Sequence, residues 1–152
     1  MTDRPSIYAA AAKEMQAYYS YSASVAAFEL EPSLMELIKI RASQINGCAN
    51  CLNIHVSEAK KKGETDQRLA LIAAWHDAPV FTPRERAALD WTDHLTQIAV
   101  KRAPDHVHAA LETEFTPREQ VQLTMAINMI NGWNRLAIGF GMFDPKLASW
   151  PA

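Results

Sequence analysis

Five residues, Phe-Thr-Pro-Arg-Glu, occur twice in this chain, at Phe81–Glu85 and again 34 residues later at Phe115–Glu119. Each copy is a helix start. The Thr side chain caps free amides, Pro suits the first helical position, and Glu at the third returns a bond to the cap. Helices are therefore predicted to begin at Pro83 and Pro117. Two copies with divergent sequence after them do not make a solenoid. The second helix is predicted to run to about Phe140, apolar on most sides through Val121, Leu123, Met125, Ile127, Met129, Ile130, Trp133, Leu136 and Ile138. A helix of that kind is buried within the fold or between subunits. Asn128, Asn131 and Asn134/Arg135 form a polar stripe along it. That stripe reads as a satisfied seam at a helix or subunit contact; lining a reactive pocket is its other use.

The rest of the chain is also helical in pattern. A first helix is predicted from near Pro5 toward Phe28, with Tyr8, Tyr18, Tyr19 and Tyr21 as packing residues. Ser33 and Glu36 have capping-box spacing, which predicts a second helix with Ser33 as N-cap, ending at Asn46-Gly47. A third follows from about Cys48 to Lys62, and a short fourth is capped by Thr65 or Asp66 and ends near His76. Another short helix is expected from Asp105 to about Glu112, and the tail after Asp144-Pro145 looks irregular. No segment alternates as a strand does. The expectation is an all-α single domain over residues 1–152, a bundle of about six or seven helices.

Charge excludes some partners. The formal net charge is −2 and the pI about 6.2, so no basic surface for nucleic acid is expected. Lys60-Lys61-Lys62 reads as a solvated helix end. Asp3, Glu14 and Glu29 interrupt the first 30 residues, so no signal peptide is read. The apolar stretch from Met125 to Phe143 is broken by Asn128, Asn131, Asn134 and Arg135, which argues against a membrane span. The expected compartment is the cytoplasm. There a lone Cys-x-x-Cys points to redox or metal chemistry. His76, His94, His106 and His108 show no usable pattern, and His106-x-His108 reads as surface.

Chemistry concentrates between Glu36 and Gly63, in ELIKIRASQINGCANCLNIHVSEAKKKG. It contains the two cysteines of the chain, Cys48 and Cys51, three apart at a predicted helix start. That spacing permits a disulfide, and the amides of a first helical turn favour a thiolate. His55 lies one turn beyond Cys51 and can take its proton directly or through a water. If the helices on either side of Gly47 form an antiparallel hairpin, Glu36 and His55 stand at roughly 16 and 12 Å along it. A Glu side chain and one water would close that gap, making Glu36 the third member of a relay. Cys48 sits nearer the helix tip and is expected to meet a partner thiol. A metal site using Cys48, Cys51, His55 and Glu36 is the chemical rival, although no second cysteine pair exists to complete a zinc site.

Glu36-x₁₁-Cys48-x₂-Cys51-x₃-His55 closely resembles the alkylhydroperoxidase D core of the carboxymuconolactone decarboxylase superfamily. The motif covers about 28 of 152 residues, and INMINGWNRLAIGF resembles the family's long final helix, extending the likeness to a core of about 15–143. The resemblance implies an all-α fold, assembly into trimers or hexamers, and a thiol peroxidase or disulfide reductase whose cysteine pair cycles between dithiol and disulfide. By position, Cys51 corresponds to the His-activated thiol and Cys48 to the more exposed one. His55 corresponds to the relay base and Glu36 to its carboxylate partner. The implied substrate is a hydroperoxide. The implied reductant is an external dithiol of lipoyl type, with a lipoyl protein or a peroxiredoxin as partner and no resident cofactor or metal. Asn50 departs from members that carry a second His between the cysteines, and Asn cannot shuttle a proton. The decarboxylase branch lacks the cysteine pair, so its presence favours redox chemistry. A lactone-acid decarboxylase relative and a metal-binding scaffold module are the alternatives.

Overall fold

α3 is buried on opposite sides, and the other helices are arranged around it. The computed structural model describes residues 4–143. In chain order these residues form α1 (Ile7–Ala10), α2 (Ala12–Ala26), α3 (Pro32–Asn46), α4 (Ala49–Lys61), α5 (Asp66–Leu71) with a 3-10 turn at Ile72–Ala74, α6 (Pro83–Thr96), α7 (Ile98–Lys101), α8 (Asp105–Glu114) and α9 (Pro117–Phe140). No strand occurs among the described residues, so the fold is all-α as predicted. All seven predicted helical segments are present, the first split into α1 and α2, and the one-turn helix α7 adds to them. The predicted irregular tail lies outside the described residues.

The core has two apolar clusters on opposite sides of α3. Leu34, Met35 and Ile38 pack with Ala88 and Trp91 of α6, Leu111 of α8 and Leu123 and Ile127 of α9. Leu37 and Ile40 pack instead with Leu69, Ile72, Trp75, Phe81 and Leu89. A helix enclosed in this way must satisfy its own polar side chains. Arg41 forks onto the buried carboxylate of Asp93 in α6, with Nε 2.5 Å from Oδ1 and Nη2 2.8 Å from Oδ2. Ser43 donates to Lys39 O at 2.7 Å and accepts from Asn134 Nδ2 at 3.0 Å. Asn46 donates to Asn131 and Asn134 of α9 at 2.9 and 2.8 Å. The Asn131 and Asn134 part of the α9 polar stripe is thus a satisfied seam between two helices, while Asn128 is exposed.

The twin helix starts form complete capping boxes at Thr82/Glu85 and Thr116/Glu119. Each copy also receives an arginine from earlier in the chain. Arg68 lies 4.9 Å over the Phe81 ring and bonds Glu85 at 2.6 Å. Arg84 lies 4.0 Å over Phe115 and bonds Glu119 at 2.6 Å. The repeated pentapeptide is therefore a docking unit as well as a cap.

Two local expectations change. α3 begins two residues earlier than Ser33 implied: Pro32 is at its start, Glu31 is the N-cap, and no side chain caps it. Fixed proline backbone geometry suits that position without a cap, and Glu36 is free for other partners. The predicted first helix breaks at Ala11 (φ −141°, ψ 53°) despite an alanine-rich sequence. Tertiary contacts override propensity here. Arg4 donates to the carbonyls of Ile138 and Gly139 at the end of α9, both at 2.9 Å, and Tyr8 stacks on Tyr19 of α2. A continuous helix would hold residues 8 and 19 about 16 Å apart.

Asp93→Ala is expected to destabilise the fold by about 3 kcal/mol or more, because it leaves the largely buried Arg41 guanidinium unpaired. Asp93→Asn keeps an acceptor and should cost less. Urea unfolding of the three proteins measures both.

Candidate active site

Gly47 sets up the site. It closes α3 in the left-handed conformation (φ 69°, ψ 34°), where a side chain is strained. The chain then turns directly into α4, with Cys48 as N-cap. Cys48 Sγ accepts the Cys51 amide N–H at 3.3 Å, so a sulfur takes the place that Ser or Asp usually holds. Cys48 and Cys51 form a disulfide, with Cα atoms 5.4 Å apart. They pack against Ala42 of α3 and Ile130 and Ala137 of α9.

The hairpin brings Glu36 and His55 together without a bridging water. Glu36 Oε2 lies 2.9 Å from His55 Nδ1. The axial offset expected from sequence, roughly 4 Å, is within the combined reach of the two side chains. Glu36 is 2% exposed. Its other oxygen accepts from Lys39 Nζ at 2.9 Å and Lys62 Nζ at 2.5 Å. Burial raises the carboxyl pKa, but the hydrogen bonds from His55, Lys62 and Lys39 together outweigh it and hold the group at about 2. An ionised carboxylate only accepts, so His55 Nδ1 carries the proton and Nε2 is the nitrogen left to exchange one.

Cys51 and His55, one turn apart on α4, both border a cavity of about 310 Å³. Asn50 borders it too. The body of the cavity is apolar. Met35 comes from α3, Ile54 from α4, Met129 and Trp133 from α9, and Tyr8 and Tyr19 from α1 and α2. Trp133 packs 5.1 Å from the Tyr19 ring and donates to Ser22 at 2.9 Å. The Tyr8 and Tyr19 hydroxyls are 3.0 Å apart. That bond and burial raise the Tyr8 pKa to about 12, so it stays neutral. Tyr18 donates to Met129 O at 3.0 Å across Gly132, where a Cβ would come within 1.9 Å of the hydroxyl.

Sequence and structure agree on the grouping of Cys48, Cys51, His55 and Glu36, and differ on three details. Cys48 is 1% exposed against 4% for Cys51, and only Cys51 borders the cavity. The expectation that Cys48 is the more exposed thiol is corrected: α9 packs over the turn and encloses it. Lys62 is a partner of Glu36 rather than part of a solvated face. Its position seven residues after His55, on the same helical face, was the available signal. Tyr8 and Tyr19 do more than pack, since they wall the cavity; no local pattern marks them. Among the described residues, no group of three or more His, Cys, Asp or Glu is arranged to hold a metal ion.

An all-helical bundle with a Cys-x-x-Cys disulfide at a helix start, backed by a His–Glu pair across a helical hairpin, is alkylhydroperoxidase D-like in class. The chain belongs to the carboxymuconolactone decarboxylase family, whose model matches residues 9–94. It is 38% identical over 141 residues to the uncharacterised protein YdfG of Bacillus subtilis (strain 168), covering 93% of this chain and 96% of that one. ATU0492 from Agrobacterium tumefaciens, a protein of unknown function, has the same fold with a TM-score of 0.91 and 39% identity, over 95% of this chain and 99% of its own. An uncharacterised peroxidase-related protein from Silicibacter sp. TM1040 shares the fold at a TM-score of 0.79 and 20% identity, over 91% and 74% of the two chains.

The Glu36 pKa gives a stability signature. Its folded value of about 2 lies below the ordinary 4.5. The stabilisation is therefore complete above pH 4.5 and is lost as pH falls toward 2. Glu36→Gln is expected to remove that acid-sensitive component, worth of order 2–3 kcal/mol. Urea midpoints measured from pH 2 to 6 would show a flatter profile in the variant.

Proposed function

We propose that this chain is a thiol-dependent peroxidase and disulfide reductase, reducing organic hydroperoxides through the Cys48–Cys51 pair. The observation that carries the reading is the Glu36–His55 hydrogen bond, 2.9 Å long, beside a cavity that Cys51 borders from the same face of α4. The antioxidant-defence description attached to ATU0492 fits the same reading.

The cycle starts from the dithiol. His55 Nε2 takes the Cys51 proton, and the first-turn amides stabilise the thiolate. The thiolate attacks the terminal peroxide oxygen and the O–O bond breaks. Cys51 becomes a sulfenic acid, and the departing alkoxide takes a proton from His55 and leaves as the alcohol. The Cys48 thiol then attacks Cys51 sulfur, forming the disulfide and releasing water from the sulfenic hydroxyl and the Cys48 proton. Glu36 stays ionised throughout, orienting His55 and balancing its charge. With His55 as the one nearby base, Asn50 leaves Cys48 without a relay of its own, so resolution depends on the closeness of the two sulfurs.

Recovery needs an external dithiol, and the cavity that Cys51 borders supports entry at that sulfur. Its thiolate attacks Cys51 sulfur, the S–S bond breaks, and Cys48 leaves as a thiolate that takes up the proton the reductant's thiol released. The reductant's second thiol then displaces Cys51 and closes the reductant's own disulfide. A lipoyl group, free or on a protein, or a peroxiredoxin partner has the required chemistry. The setting that goes with this reading is the cytoplasm. No described helix is long and apolar enough to cross a membrane.

The test is tert-butyl hydroperoxide consumption with dihydrolipoamide as reductant. Cys51→Ser is expected to abolish turnover. Cys48→Ser is expected to consume one equivalent and stop as a sulfenic acid that dimedone traps. His55→Gln should lose about 10²–10⁴-fold in rate. Equal rates for wild type and Cys51→Ser would overturn the assignment.

Assembly into trimers or hexamers is part of the same proposal. Ile98, Val100, Val121 and Ile138 are exposed apolar side chains that such contacts would cover. Sedimentation velocity is expected to give a multiple of the 17.0 kDa chain, and a monomer at micromolar concentration would refute it.

A further inference from the structure

The cavity beside Cys51 has an apolar body and one fixed charge. Of the fourteen described residues that line it, Lys39 alone carries a permanent charge, and no carboxylate is among them. Tyr8 at its rim stays neutral. Lys39 donates to Glu36 Oε1 at 2.9 Å, but the same oxygen accepts from Lys62 at 2.5 Å. One carboxylate therefore faces two ammonium groups. Glu58, the next carboxylate on α4, is bound by Lys61 at 2.6 Å and offers no relief. One positive charge is left over, before any proton on His55 Nε2.

That surplus depends on redox state for its partner. In the dithiol, a Cys51 thiolate bordering the same cavity balances it once the Cys51 proton has passed through His55 to solvent. In the disulfide, both sulfurs are neutral and none of the described lining residues does. The Lys39 side chain is 15% exposed, so water screens it only partly. Its ammonium has three donors, and its hydrogen bond among the described residues is the one to Glu36. Two donors remain for a ligand.

We propose that the disulfide form binds apolar monocarboxylates in this cavity, with Lys39 holding the carboxylate and the aromatic and thioether walls holding the body, and that reduction weakens the binding. The site then selects, among molecules that approach the oxidised enzyme, those with an acidic end and an apolar chain. The charge preference rests on Lys39 and the cavity alone. The redox dependence rests also on the reading of Cys51 as the reactive thiol.

Calorimetric titration of the full chain with octanoate and with octanamide tests this, since the two differ in charge but hardly in shape. The disulfide form is expected to bind octanoate at least about tenfold more tightly, the value of one charge-assisted hydrogen bond. Lys39→Met should bring the two ligands to equal affinity, and Lys39→Arg should keep the preference. Protein reduced with dithiothreitol and desalted should bind octanoate several-fold more weakly and octanamide unchanged. Equal affinities in wild type, or a preference that survives Lys39→Met, would overturn the anchor. An octanoate affinity unchanged by reduction would overturn the redox dependence. No arm uses turnover, so absence of peroxidase activity would refute the function proposed above and leave this result standing.

Discussion

One buried carboxylate holds the hairpin of the candidate site together. Glu36 takes Lys39 from its own helix and reaches across to His55 on α4 and Lys62 at its C-cap, seven residues apart. Those two bonds fix the rotation of α4 as well as its distance, which a single contact would not do. Rotation matters because Cys51 and His55 share one face of that helix, and a modest twist would carry both away from the cavity. Glu36 can hold them because α3 cannot move: Leu37 and Ile38 beside it are fully buried, in different clusters.

The rigidity of α3 has its own requirement. Polar side chains sent into the core need partners, and the neighbouring helices supply most of them, Gln44 Oε1 being left without one among the described residues. Asp93 answers Arg41, and Asn131 and Asn134 answer Asn46 and Ser43. A buried charge left unpaired is far costlier than a missing apolar contact. These pairings therefore restrict how α6 and α9 can lie against α3, where an apolar interface alone would tolerate sliding. The two Phe-Thr-Pro-Arg-Glu units do similar work at the periphery, each closing an arginine between a ring and a cap glutamate.

What was legible in the sequence is what short-range chemistry determines. The capping boxes, the Gly47 turn and the start of α9 depend on residues within a few positions of one another. The Glu36–His55 pairing was legible because one tight turn relates the two helices, leaving simple arithmetic. Ser33-x-x-Glu36 misled for the opposite reason: the local pattern was genuine, but a half-buried histidine and two lysines compete for that glutamate more strongly than an exposed cap does. The break at Ala11 was illegible, since nothing in an alanine run marks it. It comes from Arg4 and Tyr8 finding partners 134 and 11 residues away. The burial of Cys48 was hidden in the same way, because it depends on where α9 comes to rest.

The sulfur that caps α4 is also one end of the disulfide. Helix start and redox centre are thus the same few atoms. A bond across one helical turn, between Cα atoms 5.4 Å apart, lies within ordinary helical spacing. Opening and closing it asks for side-chain rotation and no travel of the backbone. Under the proposed redox cycle, a change of oxidation state would reach the surroundings as an altered charge at a fixed place. Any partner that distinguishes the two forms has to sense electrostatics, because the shape it meets hardly differs.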